Sequence, residues 1–353
     1  MKILVTGGLG YIGSHTCVEL LEAGYEVVVL DNLSNSKEEV KDKIKEITGK
    51  EVKFYFGDMI DEKLVDDIFT KENIEAVIDF AGYKAVGESI KKPIEYYTNN
   101  IATVLVLLKI MKKHNVKSLV FSSSATVYGN PKQVPIKETD EIGGTTNPYG
   151  TSKLFVEQIL KDLYISDNSW NIAILRYFNP IGAHKSGLIG EDPNGIPANL
   201  MPYIVKVASK ELECLSVFGN DYDTKDGTGV RDYIHIVDLA QGHIKALEKL
   251  KKEQKGLYIY NLGTGIGYSV LDLVNTFEKV NHVKVNYKIT DRRPGDIAEC
   301  YADVSKAKKE LGWEVKLGIE DMCKDAYNFI LKNKYIAINN IKKIDNTNIK
   351  NKE

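Results

Sequence analysis

The run VTGGLGYIGS, close to the start of the chain, constrains the fold more than any other stretch. Its glycines Gly7, Gly10 and Gly13 follow an apolar strand pattern, Lys2–Thr6, and open a helical pattern, Tyr11–Ala23. A second strand pattern, Tyr25–Leu30, comes next, which makes a βαβ unit with a glycine turn after its first strand. Glycine permits positive φ there and lets the backbone approach a pyrophosphate, whose charge meets free N–H groups at the helix start. Asp31 closes the second strand pattern. A carboxylate in that place accepts from a ribose 2′-OH and repels a 2′-phosphate, so NAD is expected rather than NADP. The spacing departs from the commoner G-x-G-x-x-G, and a bare strand-to-helix turn is the competing explanation. The βαβ context and Asp31 favour the dinucleotide.

Strand patterns recur at Val52–Phe56, Ala76–Phe80, Leu119–Ser122 and Ile172–Arg176, with helical patterns at Glu38–Ile47, Glu62–Phe69, Ile94–His114 and Tyr149–Leu163. This alternation predicts an α/β fold, a doubly wound parallel Rossmann-type sheet with both faces covered. A length of 353 residues suits two domains. After about Pro180 the chain turns to loops rich in Gly, Pro and Asn. Residues 1–180 are therefore read as the NAD-binding domain and 181–340 as a smaller α/β substrate-binding domain. Part of 232–262, with the amphipathic pattern Asp238–Lys251, is expected to pack back on the first domain. The polar stretch 341–353 is read as a flexible tail.

Composition excludes several classes. Nothing in the formal charge of −2 suggests a nucleic acid or an anionic membrane as partner. The longest apolar run, Ile101–Leu108, is too short to span a bilayer, and Met1-Lys2 leads directly into a strand with no signal peptide. Four scattered cysteines (Cys17, Cys214, Cys300, Cys323) make no metal or disulfide framework, which fits a cytoplasmic protein. Lys and Arg together number 47, yet four are Arg (Arg176, Arg231, Arg292, Arg293) and the other 43 are Lys. Arginines this scarce are candidates for sites that need a planar, forked donor.

Two Tyr-x-x-x-Lys pairs occur, Tyr128/Lys132 and Tyr149/Lys153. Gly129-Asn130-Pro131 breaks any helix in the first pair. The second follows Pro148 and enters a helical run, which puts Tyr149 and Lys153 on one face. A phenol has a free pKa of about 10, so service as a base near neutrality needs a shift of about three units. The Lys153 ammonium and an oxidised nicotinamide are expected to supply it. Ser124, ending the run Ser122-Ser123-Ser124, is placed to relay the proton or hold a sugar oxygen. The competing explanations are a packed aromatic at a helix start and a serine that satisfies loop backbone.

At these residues the chain resembles the extended short-chain dehydrogenase/reductase family, and within it the enzymes that invert a nucleotide sugar at C4. The resemblance runs from Lys2 to about Gly312 and is carried by VTGGLGYIGSHT, FSSSATVYG, NPYGTSK, LRYFNPIGAH, FGNDYDTKDGTGVRDYIHIVDLA and RRPGD. It implies retained NAD, a UDP-hexose substrate, and transient oxidation at C4 to a 4-keto sugar followed by hydride return to either face. UDP-glucose and UDP-galactose would thereby interconvert. The implied catalytic residues are Ser124, Tyr149 and Lys153. Implied cofactor contacts are those three with Gly7, Gly10, Gly13, Tyr11, Ile12, Asp31, Asn32, Asn35, Ser36, Asp58, Met59, Phe80, Ala81, Gly82, Lys84, Asn99 and Phe178. Implied substrate contacts are Ser124, Tyr149, Asn179, Asn199, Leu200, Phe218, Arg231, Arg293, Asp296 and Cys300. Arg231 and Arg293 would pair with the UDP diphosphate, whereas Arg176 and Arg292 are read as structural.

In this family the position of Cys300 lines the pocket near the sugar 2-position, where a small residue leaves room for an N-acetyl group. UDP-GlcNAc and UDP-GalNAc are therefore expected as further substrates, against the alternative that Cys300 is a buried filler. Two rival activities remain, a nucleotide-sugar 4,6-dehydratase and a uronate epimerase. The first needs an acidic pair where Ala125 and Thr126 stand, and the second needs a cationic grip on a carboxylate for which the sequence points to no residue. A cofactor-binding sensor without catalysis is a third. The resemblance also implies a homodimer through the helices Ile94–His114 and Tyr149–Leu163, although the run Ile101–Leu108 could equally lie against the sheet.

Overall fold

Seven parallel strands form the central sheet of this computed structural model, which describes residues 1–193, 197, 199–293 and 295–350, with 335–350 as backbone only. The strands are β1 (Lys2–Thr6), β2 (Glu26–Asp31), β3 (Lys53–Phe56), β4 (Ala76–Asp79), β5 (Ser118–Ser124), β6 (Asn171–Tyr177) and β7 (Gly256–Leu262). Their order across the sheet is β7-β6-β5-β4-β1-β2-β3. Successive side chains alternate between two cores. Ile3, Val5, Val27 and Val29 enter one, while Leu4, Val28, Leu30 and Val77 enter the other. The first core is closed by the helices Tyr11–Glu22 and Ile236–Glu253, the second by Glu62–Glu72, Pro93–Lys113 and Pro148–Ser166. Cover on both faces explains why these strands read as continuous apolar runs rather than alternating ones.

β1 lies between β2 and β4, so the strand order reverses there. A crevice opens at such a switch point beyond the carboxyl ends of the strands.

The strand and helix patterns of the sequence fall on these elements with ends displaced by a few residues. The helix read from Ile94 starts at Pro93, and the helix read from Tyr149 starts at Pro148. Proline is favourable at the first helical position, so both boundaries move one residue outward. Strand β7 joins the main sheet beside β6, and Gln241 of the helix Ile236–Glu253 bonds Glu19 of Tyr11–Glu22.

A smaller sheet surrounds Val230–His235. Asn179–Ile181 and Glu299–Cys300 pair with it in parallel and Gly267–Ser269 antiparallel. Leu215–Phe218 and Tyr287–Thr290 form a separate parallel pair. A third core beneath them includes Met201, Ile204, Phe277 and Met322. The helix Ile319–Lys350 runs into the stretch read as a flexible tail, 341–353, of which 351–353 lie outside the described residues. Among the described residues, no helix is long and apolar enough to cross a membrane, and no cluster of three or more His, Cys, Asp or Glu is placed to hold a metal.

Candidate active site

The glycine loop turns at the end of β1. Gly7 has φ +63°, and a Cβ on Gly13 would lie 2.3 Å from the Gly7 carbonyl oxygen. Both positions thus exclude a side chain, one by backbone conformation and one by close packing. Gly10 N–H donates to the Gly7 carbonyl at 3.2 Å. Gly8, which the sequence reading passed over, is as constrained, since a Cβ would come within 2.8 Å of Val29. The helix Tyr11–Glu22 then begins with no side-chain cap. Its first N–H groups, those of Tyr11, Ile12 and Gly13, are left for a ligand anion.

Around this turn the carboxyl ends of β2, β3 and β4 present the other expected cofactor residues. Asp31 is buried and accepts from Leu9 N–H (3.0 Å), Leu33 N–H (2.9 Å) and the Ser36 hydroxyl (2.8 Å). The loop holding Asn32, Asn35 and Ser36 is tied to the next by Asn32 Nδ2, which donates to Asp58 at 2.9 Å, with Met59 buried alongside. After β4, Phe80 and Ala81 N–H both donate to Thr6 Oγ1 at 3.2 Å, and Thr6 donates to the buried Asp79 at 2.5 Å. Gly82 runs so close to Asn100 that a Cβ would sit 3.2 Å from its Oδ1, and Asn99 Nδ2 donates to that oxygen at 3.1 Å. A glycine cradle, an uncapped helix start and a fixed carboxylate are the donor and acceptor set that a dinucleotide requires. The residues present fit NAD.

Ser124 ends β5, and the local sequence brings Tyr149 to it. In Asn147-Pro148-Tyr149-Gly150, Asn147 caps the helix by accepting from Gly150 N–H at 2.9 Å, and Pro148 occupies the first turn. Gly150 lets that turn abut the serine loop, since a Cβ would meet Thr126 at 3.1 Å. Ser124 Oγ accepts from Thr126 N–H (3.2 Å) and Thr126 Oγ1 (2.9 Å). A hydroxyl has two lone pairs and one proton, so Ser124 is left to donate, and its nearness counteracts the upward shift of the Tyr149 phenol.

At Tyr149 burial dominates and raises the phenol above its ordinary value, with the nearby Ser124 hydroxyl opposing. Lys153 is itself buried, donates to the Ser122 carbonyl at 2.7 Å and lies 4.8 Å from the Phe121 ring centroid. Burial pushes its ammonium down to about 8, against the attraction of Asp79. The other candidate pair separates: Tyr128 is buried and donates to Asn261 at 2.7 Å, while Lys132 is exposed against Glu141.

β6 leads into Phe178, whose N–H donates to the Leu262 carbonyl at 3.2 Å, and then into Asn179. Cys300 pairs in register with Arg231 and is buried among Ala125, Phe178 and Ala302. Burial pushes its thiol up to about 11. Arg231 reaches Asp296 at 3.4 Å and donates to the Val230 carbonyl at 2.8 Å. The adjacent arginines diverge. Arg293 lies over Phe218, 4.5 Å from its ring centroid, whereas Arg292 is tied to Asp221 at 2.7 Å. Asn199 and Leu200 start a helix on the far side, where Asn199 and Lys84 both meet Glu191.

Sequence reasoning missed Thr126, Asn147, Glu191 and the hydrogen bond between Tyr177 and His243. An Asn-Pro helix start was a usable signal for Asn147. Glu191 sits in an irregular loop and gave none.

Several proteins share this chain's sequence and architecture. A family profile described as GDP-mannose 4,6 dehydratase matches residues 4–326. The UDP-glucose 4-epimerase of Bacillus subtilis (strain 168) is 62% identical over 329 residues, 93% of this chain and 96% of its own length. The UDP-glucose 4-epimerase of Homo sapiens is 56% identical over 338 residues, 94% of this chain and 97% of its own. The crystal structure of UDP-glucose 4-epimerase from Bifidobacterium longum, in complex with NAD+ and UDP, superposes with a TM-score of 0.92 at 58% identity, covering 95% of this chain and 99% of that one.

Proposed function

Because the chain belongs to the UDP-glucose 4-epimerases of the extended short-chain dehydrogenase/reductase family, we propose that this site interconverts UDP-glucose and UDP-galactose. The observation that carries the reading is the start of the Tyr149 helix seated on the Ser124 loop, where a Cβ on Gly150 would meet Thr126 at 3.1 Å and Lys153 donates to the Ser122 carbonyl at 2.7 Å, on the sheet that also carries the glycine cradle. When bound, NAD⁺ supplies a hydride acceptor and a positive ring that favours the phenolate, and hydride return to the opposite face of the 4-keto sugar inverts C4 without net oxidation. Tyr149 takes the proton of the sugar 4-OH and later gives it back. Ser124, its lone pairs filled by Thr126, donates to the phenolate or the sugar oxygen. Lys153, held by the Ser122 carbonyl, positions the nicotinamide ribose. Arg231 and Arg293 offer forked donors to the diphosphate, and Phe218 carries Arg293 on its face. Asn179, Asn199, Leu200 and Asp296 complete the UDP-sugar contacts. Residues 1–180 make the NAD domain in this proposal and 181–340 the UDP-sugar domain, with part of 232–262, including the helix Ile236–Glu253 and β7, packed on the first.

Purified protein incubated with UDP-galactose and no added cofactor should form UDP-glucose. Failure to do so with NAD bound would refute the assignment. A 4,6-dehydratase reading lacks its acids, since Ala125 is apolar and the Thr126 hydroxyl is committed to Ser124.

Cys300 supports a wider substrate range. It shares a buried apolar cluster with Ala125, which follows Ser124, and with Phe178, and the family resemblance sets this position near the sugar 2-position, where a small side chain would leave space. The protein should act on UDP-GlcNAc as well as UDP-galactose. Cys300→Tyr should lower the acetamido activity by about 10- to 100-fold, the effect of crowding a pocket by 1–3 kcal/mol, and spare UDP-galactose. Comparing kcat/KM for both sugars in both proteins decides it, and exclusion of UDP-GlcNAc by the unaltered enzyme defeats the idea.

A homodimer is part of the proposal. Val104, Leu107 and Leu108 face the sheet, but Ile94 (76% exposed), Leu105 (48%) and Phe155 (48%) are left on the outer side of the two expected helices. Tyr97 stacks on Phe155 there. Sedimentation should find a dimer, with Phe155→Glu shifting it to monomer; a monomeric wild-type protein at micromolar concentration rejects the interface. The four free cysteines suit a cytoplasmic location, which recovery from a secreted or membrane fraction would contradict.

A further inference from the structure

Glu191 belongs to neither the cofactor set nor the substrate set, yet it touches both. Its Oε1 accepts from Lys84 Nζ at 3.2 Å and from Asn199 Nδ2 at 2.6 Å. Lys84 follows β4 on the cofactor side, and Asn199 starts the helix Leu200–Ala208 on the other. Tyr11 stands in the same knot. Its hydroxyl donates to the Gly182 carbonyl at 2.8 Å, and its ring centroid lies 5.6 Å from Lys84 Nζ. Burial first, and the Glu191 charge second, push the Tyr11 phenol well above its ordinary range.

Two further features make Glu191 more than a surface ion pair. Its side chain is 9% exposed, and its Oε2 is buried without a hydrogen-bond partner. A carboxylate oxygen left in that state carries a desolvation cost that a donor arriving with a ligand would relieve. The backbone behind it is also fixed. Gly190 packs so tightly on Phe329 that a Cβ would lie 2.5 Å from the ring, and Lys332 Nζ donates to the Ser186 carbonyl at 2.9 Å. The C-terminal helix therefore holds the loop that carries Glu191.

We infer that Glu191 is a positioning residue that couples the two halves of the site: holding Lys84 and Asn199 on one oxygen, it makes occupancy of the cofactor cradle and of the UDP-sugar cleft support one another. This rests on the reading that Lys84 serves NAD and Asn199 the nucleotide sugar. A ligand that restrains one of these side chains restrains the other through the shared carboxylate, so the second ligand loses less freedom on binding. The coupling is reciprocal by linkage.

The test follows NAD loss from the holoenzyme into a sink, with and without saturating UDP. In the unaltered protein UDP should slow the loss by about tenfold or more, within the usual span of allosteric couplings. In E191A the effect should fall below about twofold, with KM for UDP-galactose raised more than kcat is lowered. E191Q keeps an acceptor for Asn199 without the charge for Lys84 and should fall between; being nearly isosteric, it also covers the case in which E191A fails to fold. Full retention of the UDP effect in E191A or E191Q, or its absence from the unaltered enzyme, overturns the inference. A wild-type protein that leaves UDP-galactose unconverted overturns instead the activity on which it rests.

Discussion

Tyr149→Phe should lower kcat for UDP-galactose by about 10²- to 10⁴-fold, the usual contribution of a positioned general acid–base. Three features of the site argue for an effect of that size. The Ser124 hydroxyl is left with a proton to donate once Thr126 fills its lone pairs, and its nearness works against the upward shift of the phenol. Burial holds the phenol above its ordinary value, so the free site resists ionisation and depends on positive charge brought to it. Lys153 is pushed down to about 8, which keeps its ammonium largely complete at pH 6 and lets it fade as the pH rises past 8. Among the described residues the other phenols near this edge are engaged elsewhere, since Tyr177 bonds to His243 and Tyr128 is buried against Arg176. Steady-state kinetics should therefore show the loss in kcat with NAD content unchanged, because the variant deletes one oxygen and leaves the cradle intact. An active Tyr149→Phe protein would mean that a different group moves the proton.

The sequence made the sheet legible because its strands are buried on both faces and its turns are marked by glycine. β1, β2 and the intervening helix followed from one short run. The Tyr149 helix was legible for the same reason, since Pro148 marks where it starts. What stayed hidden depends on contacts between distant segments. Thr126 reads as an inert neighbour of Ser124 until its hydroxyl is seen filling the serine's acceptor. Glu191 lies 107 residues from Lys84 in a loop without periodicity, so no local pattern could pair them. Spacing placed a cation on the helix face of Tyr149, but the desolvation of its hydroxyl depends on how deeply distant segments pack it.

Glu157→Ala should lower the stability of the fold by about 3–5 kcal/mol, the cost of leaving a buried partner charge unpaired. Glu157 and Arg176 are 0% and 1% exposed, and they meet through two bonds, Nε to Oε1 at 2.9 Å and Nη2 to Oε2 at 2.7 Å. Alanine would strand the guanidinium in a dry interior with Tyr128 and the Glu138 carbonyl as its remaining acceptors. Spread over a chain of this length, with unfolding entropy near 2 cal/mol/K per residue, the loss corresponds to a fall in melting temperature of about 4–7 °C. Differential scanning calorimetry reads it directly. The pair also bears on catalysis, because Ser123 Oγ donates to Glu157 Oε1 at 2.6 Å and Ser123 precedes Ser124. Activity below the melting transition should fall as well, as the serine loop loses its anchor. Replacing Glu157 and Arg176 together with leucine separates the two roles. Packing without charge should restore most of the stability, since buried ion pairs seldom outperform apolar residues of similar volume. The anchor for Ser123 would still be missing, so kcat should stay low. A double variant that regains full activity would show that the pair serves the fold alone.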